Sequence, residues 1–250
     1  MIKFFRKIRQ NLFTSDKAFG YLKYAVGEII LVVIGILIAI QLNEWNQHRL
    51  ERKQYTVVLR NLQEEFNRTK ALLAEITARY VNSIQANNLL MQMIASEDES
   101  LSELRIDTLI AKCTMQPPFF PLQPTLAELM NSGNIKSLPN DQLKRKLYDW
   151  ESTIKWFHFD YDLYINFNNF QFQPYLNTRW SWKNIDIADG SKHVQTRSKL
   201  TSAPLKMIDD LEFENLVDQN LFHANRLHHR LEGVDIMIAK LLDELDAELH

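Results

Sequence analysis

From Tyr24 to Leu42 the chain reads YAVGEIILVVIGILIAIQL, and between Ile29 and Ile40 no side chain is polar. Nineteen residues in an α-helix reach about 28 Å, close to the hydrocarbon thickness of a bilayer. An apolar run of this length constrains the chain more than any other feature. It predicts a single transmembrane helix over 21–43, a basic segment over 1–20 and a separate domain over 44–250. A secretory signal peptide also combines a basic start with an apolar run. Here the run ends Ala39-Ile40-Gln41-Leu42-Asn43, with no small-x-small cleavage pattern, so it reads as an uncleaved anchor.

The flanking charges give an orientation. Lys3, Arg6, Lys7, Arg9, Lys17 and Lys23 precede the run, against Asp16; after it come Arg49, Arg52, Lys53 and Arg60. The bias favours a cytoplasmic N-terminus and puts residues 44–250 across the membrane. Ile2, Phe4, Phe5, Ile8, Leu12 and Phe13 alternate with the basic residues at roughly helical spacing. Such a segment lies on an anionic leaflet, with Lys3, Arg6, Lys7 and Arg9 toward the headgroups. Trp45, beside Asn43 and Asn46, falls at the outer interface and reads as an interfacial anchor. The lipid bilayer is the first expected partner.

Within the span, Glu28, Val32, Gly35, Ala39, Leu42 and Asn46 share one helical stripe. Gly35 and Ala39 are spaced to let two helix backbones approach, and an ionisable group inside a span usually faces a partner helix or water. Glu28, Val32, Gly35 and Ala39 are therefore the expected packing or oligomer seam. The bland alternative has Glu28 snorkelling to the headgroups beside Lys17 or Lys23.

Beyond the span the pattern is helical. Tyr55, Leu59, Leu62, Phe66, Thr69, Leu73, Ile76, Tyr80, Ser83, Asn87, Leu90 and Ile94 recur at spacings of three and four with no proline or glycine between them. A second seam is Leu143, Leu147, Trp150, Ile154, Phe157, Tyr161 and Tyr164. A third is Val217, Leu221, Ala224, His228, Leu231, Asp235, Ile238, Leu242, Leu245 and Leu249, with His228 and Asp235 as polar interruptions. Ser100 with Glu103 predicts a helix over about 101–114, and Thr125 with Glu128 another over about 126–132, ended by Gly133. Pro117, Pro118, Pro121 and Pro124 keep the link between them extended, and 174–205 shows no period and reads as a connection. Three long amphipathic helices bury their stripes only against one another. The expected fold is all-α: one transmembrane helix continuing into an elongated antiparallel bundle, with coiled-coil-like seams.

The opening MIKFFRKIRQ, the stretch Gly27–Ala39 (GEIILVVIGILIA), and Gln41, Asn43, Trp45 and Asn46 after it resemble an uncharacterised family of small single-span bacterial membrane proteins. Members commonly read Gln-Ile-Asn-Asn-Trp-Asn-Glu after the span, where this chain has Leu42, Glu44 and Gln47. Leu126–Asn134 is a weaker echo. The resemblance implies a bacterial inner-membrane location and a periplasmic helical domain, and supplies no activity.

Catalytic patterns are missing. There is no Gly-x-Ser-x-Gly elbow, phosphate loop, His-Glu-x-x-His or dinucleotide fingerprint, and Cys113 sits in a short apolar helix as a buried small hydrophobe would. His158 and Asp162 share a helical face, but with Asp160 they read as solvated groups; His223, His228 and His229 are poorly aligned for a metal. No cofactor is expected. Residues 201–250 hold eleven acids against four Lys and Arg, so nucleic acid is not an expected partner. Trp156, Phe159, Phe167, Phe170 and Phe172 fall off the second seam, which predicts extra packing from 174–205 or a partner surface. The leading expectation is a non-enzymatic envelope protein acting as an oligomeric scaffold or accessory subunit, bound to itself or to another membrane or envelope protein. A homo-oligomeric pore or tension-responsive channel with Glu28 at its cytoplasmic mouth and a periplasmic sensor signalling through a partner are the alternatives.

Overall fold

The computed structural model describes residues 16–95, 102–114, 116–200 and 207–250. Among these, every regular element is helical and there is no strand. The chain divides into two units, Met1–Val57 and Val58–His250. Helix α1, Asp16–Met93, supplies the helix of the first and the first long helix of the second. Then come α2 (Glu103–Thr114), α3 (Pro124–Ser132), α4 (Asp141–Phe167), α5 (Gln173–Arg179), α6 (Trp182–Ala188) and α7 (Leu211–Leu249).

In the second unit, α7 lies antiparallel to α4. Asn140 at the start of α4 reaches Glu244 and Glu248, and Asp160 further along meets Arg226 and Arg230. It is antiparallel to α1 as well, with Gln63 against Asp246 and Asn87 against Asn220. Consequently α1 and α4 run in the same direction, with Phe66 edge-on to Trp150 at 5.1 Å between ring centroids. The chain returns between them through the proline-rich segment 116–123. Prolines there remove backbone donors, and side chains satisfy the facing carbonyls: Tyr161, Tyr80 and His158 reach Gln116, Pro117 and Phe119. Tyr164 donates to Thr114 just before it.

The α1 seam is as expected from Leu59 to Leu90, all ten positions being buried. The α7 seam needs a correction. Val217, Ala224, Leu231, Ile238 and Leu245 are buried, but the second buried row is Asn220, Leu227, Val234 and Leu241. His228 and Asp235 lie outside the core, and its polar member is Asn220. Its amide donates to Asn87 Oδ1 and to the Cys113 carbonyl, at 2.9 and 3.1 Å.

The expected cap Ser100 falls outside the described residues; Ser102 lies in reach of a first-turn amide of α2, that of Arg105. The third helix starts two residues early, at Pro124, because proline at a first helical position loses no hydrogen bond. Thr125 is thereby inside the first turn, and its amide is taken by the buried Glu65 of α1, as is that of Leu126. Gly133 ends α3 at φ 75°, a left-handed conformation that glycine adopts without penalty.

Residues 174–205 are not one connection, since α5 and α6 occupy most of 173–188. Seven-residue helices are too short to show a period. Before α5 the helix widens to a π turn, Asn168–Phe172, with the Gln173 amide bonded to the Asn168 carbonyl five residues back. Pro174 accounts for it, since its ring would clash with the carbonyl four residues earlier in a regular helix. The extra residue brings Phe167 and Phe172 onto one side, both buried and stacked at 5.9 Å.

Candidate functional site

In the first unit, every described side chain from Ala25 to Gln54 is exposed. Glu28, Val32, Gly35 and Ala39 are among them, and a Cβ added at Gly35 would meet nothing within 4 Å. No described residue therefore requires a glycine there, although glycine costs a helix interior about 0.5–1 kcal/mol relative to alanine. Trp45 is exposed, with the Arg49 guanidinium 5.6 Å from its ring centroid. Lys3, Arg6, Lys7 and Arg9 lie outside the described residues, as do the side chains of Lys17 and Lys23. Among the described residues one helix is long and apolar enough to cross a membrane, its apolar part lying near the N-terminus.

In the second unit, the residues that sequence reasoning grouped are separated. His158 Nε2 lies 3.0 Å from the Phe119 carbonyl, whereas Asp162 is exposed. His223 stacks on Phe167 at 5.1 Å, and His229 lies 3.2 Å from Glu232. Among the described residues no group of three His, Cys, Asp or Glu is placed to hold a metal ion. Cys113 is buried, which pushes its thiol pKa well up.

Asp160 is the largest departure. It is buried rather than solvated, with Oδ1 2.5 Å from Arg226 and Oδ2 2.6 Å from the Nε of Arg230. Burial opposes its charged form, but hydrogen bonds from Arg226 and Arg230 outweigh this and hold the carboxyl below its usual range. Burial, with Arg226 nearby, lowers the His223 pKa against the opposing pull of Asp160. The sequence signal was the spacing of Arg226 and Arg230, one turn apart on α7, but only the pairing of α7 with α4 gives it meaning. Arg230 also lies over the Trp156 ring at 5.4 Å.

A second clip holds the connection after α6. The buried Asp107 of α2 accepts from Trp180 Nε1 at 2.7 Å and from Arg197 at 2.6 Å. Beside the proline-rich segment, Phe120, Leu122, Leu126, Ala127, Trp150 and Ile154 line an open apolar groove of about 620 Å³.

These features define an all-helical protein with a bundle and one helix able to span a membrane. Residues 28–171, more than half of the chain, match a family described as Family of unknown function (DUF6090), and the chain belongs to that family. The match runs from Glu28 in the apolar run to Gln171 in the π turn. No curated protein and no solved structure matches the chain significantly.

Proposed function

We propose that this protein is a non-enzymatic envelope component: a single-span inner-membrane anchor whose bundle serves as an oligomeric scaffold or accessory subunit of a membrane complex. The observation that carries the reading is the bare helix from Ala25 to Gln54. No described residue covers its apolar part, which suits it to lipid and a neighbouring helix. Glu28 makes lipid alone a costly neighbour and Gly35 leaves room for a second backbone. The charge bias supports a cytoplasmic N-terminus and a periplasmic bundle.

The test is the mass and composition of the complex taken from native membranes in a lipid-preserving polymer. A homo-oligomer, or stoichiometric co-purification with one other membrane protein, supports the reading; a lone monomer in that extract sinks it. If the complex is a homo-oligomer, Glu28→Gln separates scaffold from pore. Unchanged assembly with altered ion conductance would favour the pore. The apolar groove beside Leu122 favours a sensor as second reading, in which an apolar ligand stabilises the bundle. No thermal shift of the full chain across a panel of amphiphiles and apolar metabolites would remove it.

A further inference from the structure

Trp156, Phe159 and Leu163 recur on one stripe of α4 and stay 54%, 50% and 37% exposed. Of the five off-seam aromatics for which extra packing from 174–205 or a partner surface is expected, Phe167 and Phe172 are buried, whereas Trp156, Phe159 and Phe170 stay exposed. Across the seam, α7 adds Phe222, 58% exposed, with Arg226 and Arg230. The strip is held in place before anything binds. Trp156 and Phe159 meet edge to face at 5.8 Å, Arg230 lies over Trp156, and both arginines are fixed by Asp160. Rigid Trp and Arg at a seam is the composition of an interface centre.

We infer that this α4–α7 strip is the surface on which a second copy of the chain packs, bringing the bundles of the proposed oligomer together. The inference rests on the scaffold reading. Four half-exposed side chains of this size leave about 400 Å² of apolar surface open. With the usual polar rim, that corresponds to roughly 700 Å² per copy, near the 800 Å² of a standard interface. The small shortfall is met by anchoring in one membrane, which raises the effective concentration of copies. Charge does not oppose self-pairing strongly, because Asp160 cancels one arginine of each strip.

The test is disulfide cross-linking of the full chain in native membranes, with Cys113→Ala as background. Phe159→Cys is expected to give a dimer in high yield and Leu104→Cys, equally exposed on α2, none. Adding Trp156→Glu should cut the Phe159→Cys yield at least fivefold. Were Phe159→Cys to link no better than Leu104→Cys in a complex whose mass is still oligomeric, the strip would be overturned and the scaffold reading kept. A monomeric mass overturns both. A cross-link to a different protein overturns self-packing and assigns the strip to that partner.

Discussion

The Glu65 carboxylate of α1 accepts the Thr125 amide at 2.8 Å, sixty positions further along the chain, and so caps a helix that cannot cap itself. Leu126 donates to the other oxygen at 3.4 Å. Glu65→Ala leaves those amides without acceptors and is expected to cost about 1–3 kcal/mol. The urea midpoint of the full chain in detergent reads this. Glu65→Gln keeps one acceptor and should cost less; an equal loss would contradict the cap.

Asp160→Asn removes the charge that two arginines share. Breaking a buried pair costs about 3–5 kcal/mol, and arginines that reach solvent bring this to about 2–3. The acid limb of stability follows from the shifts. Asp160 has its folded pKa lowered, so its contribution is full above the ordinary carboxyl range near pH 4 and is lost as pH falls through the folded value. His223, also lowered, gives an earlier loss that begins below its ordinary value of 6.5. Thermal melts against pH should therefore decline in two stages. Asp160→Asn should reduce the second, and His223→Phe should remove the first while keeping the stack on Phe167. A wild-type melting temperature flat from pH 7 to pH 5 would refute the His223 stage.

Gly35 lies in an exposed run outside the bundle and a Cβ there meets no described atom within 4 Å, so Gly35→Leu should change bundle stability by less than about 0.5 kcal/mol. If the Glu28–Gly35–Ala39 stripe is a helix–helix seam, the same change should shift the complex toward monomer. Mass measurement and a melt on one sample separate the two effects. Loss of bundle stability instead would mean that Gly35 matters for folding, not assembly.

Cys113 is buried and its thiol is held far toward the protonated form, so an aqueous thiol reagent should react with it only as the bundle opens. Labelling of the native chain should be at least a hundredfold slower than in denaturant. Comparable rates would show that the last turn of α2 is open in solution.

Much of the architecture was legible in the residues. The apolar run, the α1 seam from Leu59 to Leu90 and the Gly133 stop are local patterns. A repeat of three and four, a polar-free stretch and a left-handed glycine each carry their meaning within a few turns. The second row of α7 was misplaced by one residue. Leu221, Leu242 and Leu249 drew the row to themselves, and a helical stripe is wide enough for either choice until a neighbour selects the face.

By itself the sequence determined the three long helices and that one of them is apolar enough to cross a bilayer. Both follow from local composition and period. The tertiary structure decided which polar groups are buried and whom they meet. It set Glu65 under α3, Asn220 against Asn87, and Asp160 between Arg226 and Arg230. It also selected which off-stripe aromatics were covered: Phe167 and Phe172, at the two ends of the π turn, are buried, while Trp156 and Phe159 stay in the open. The physical reason is that a cap, an ion pair or a covered ring belongs to two chain segments at once. Their meeting is fixed by how whole helices pack, which no short window of residues contains.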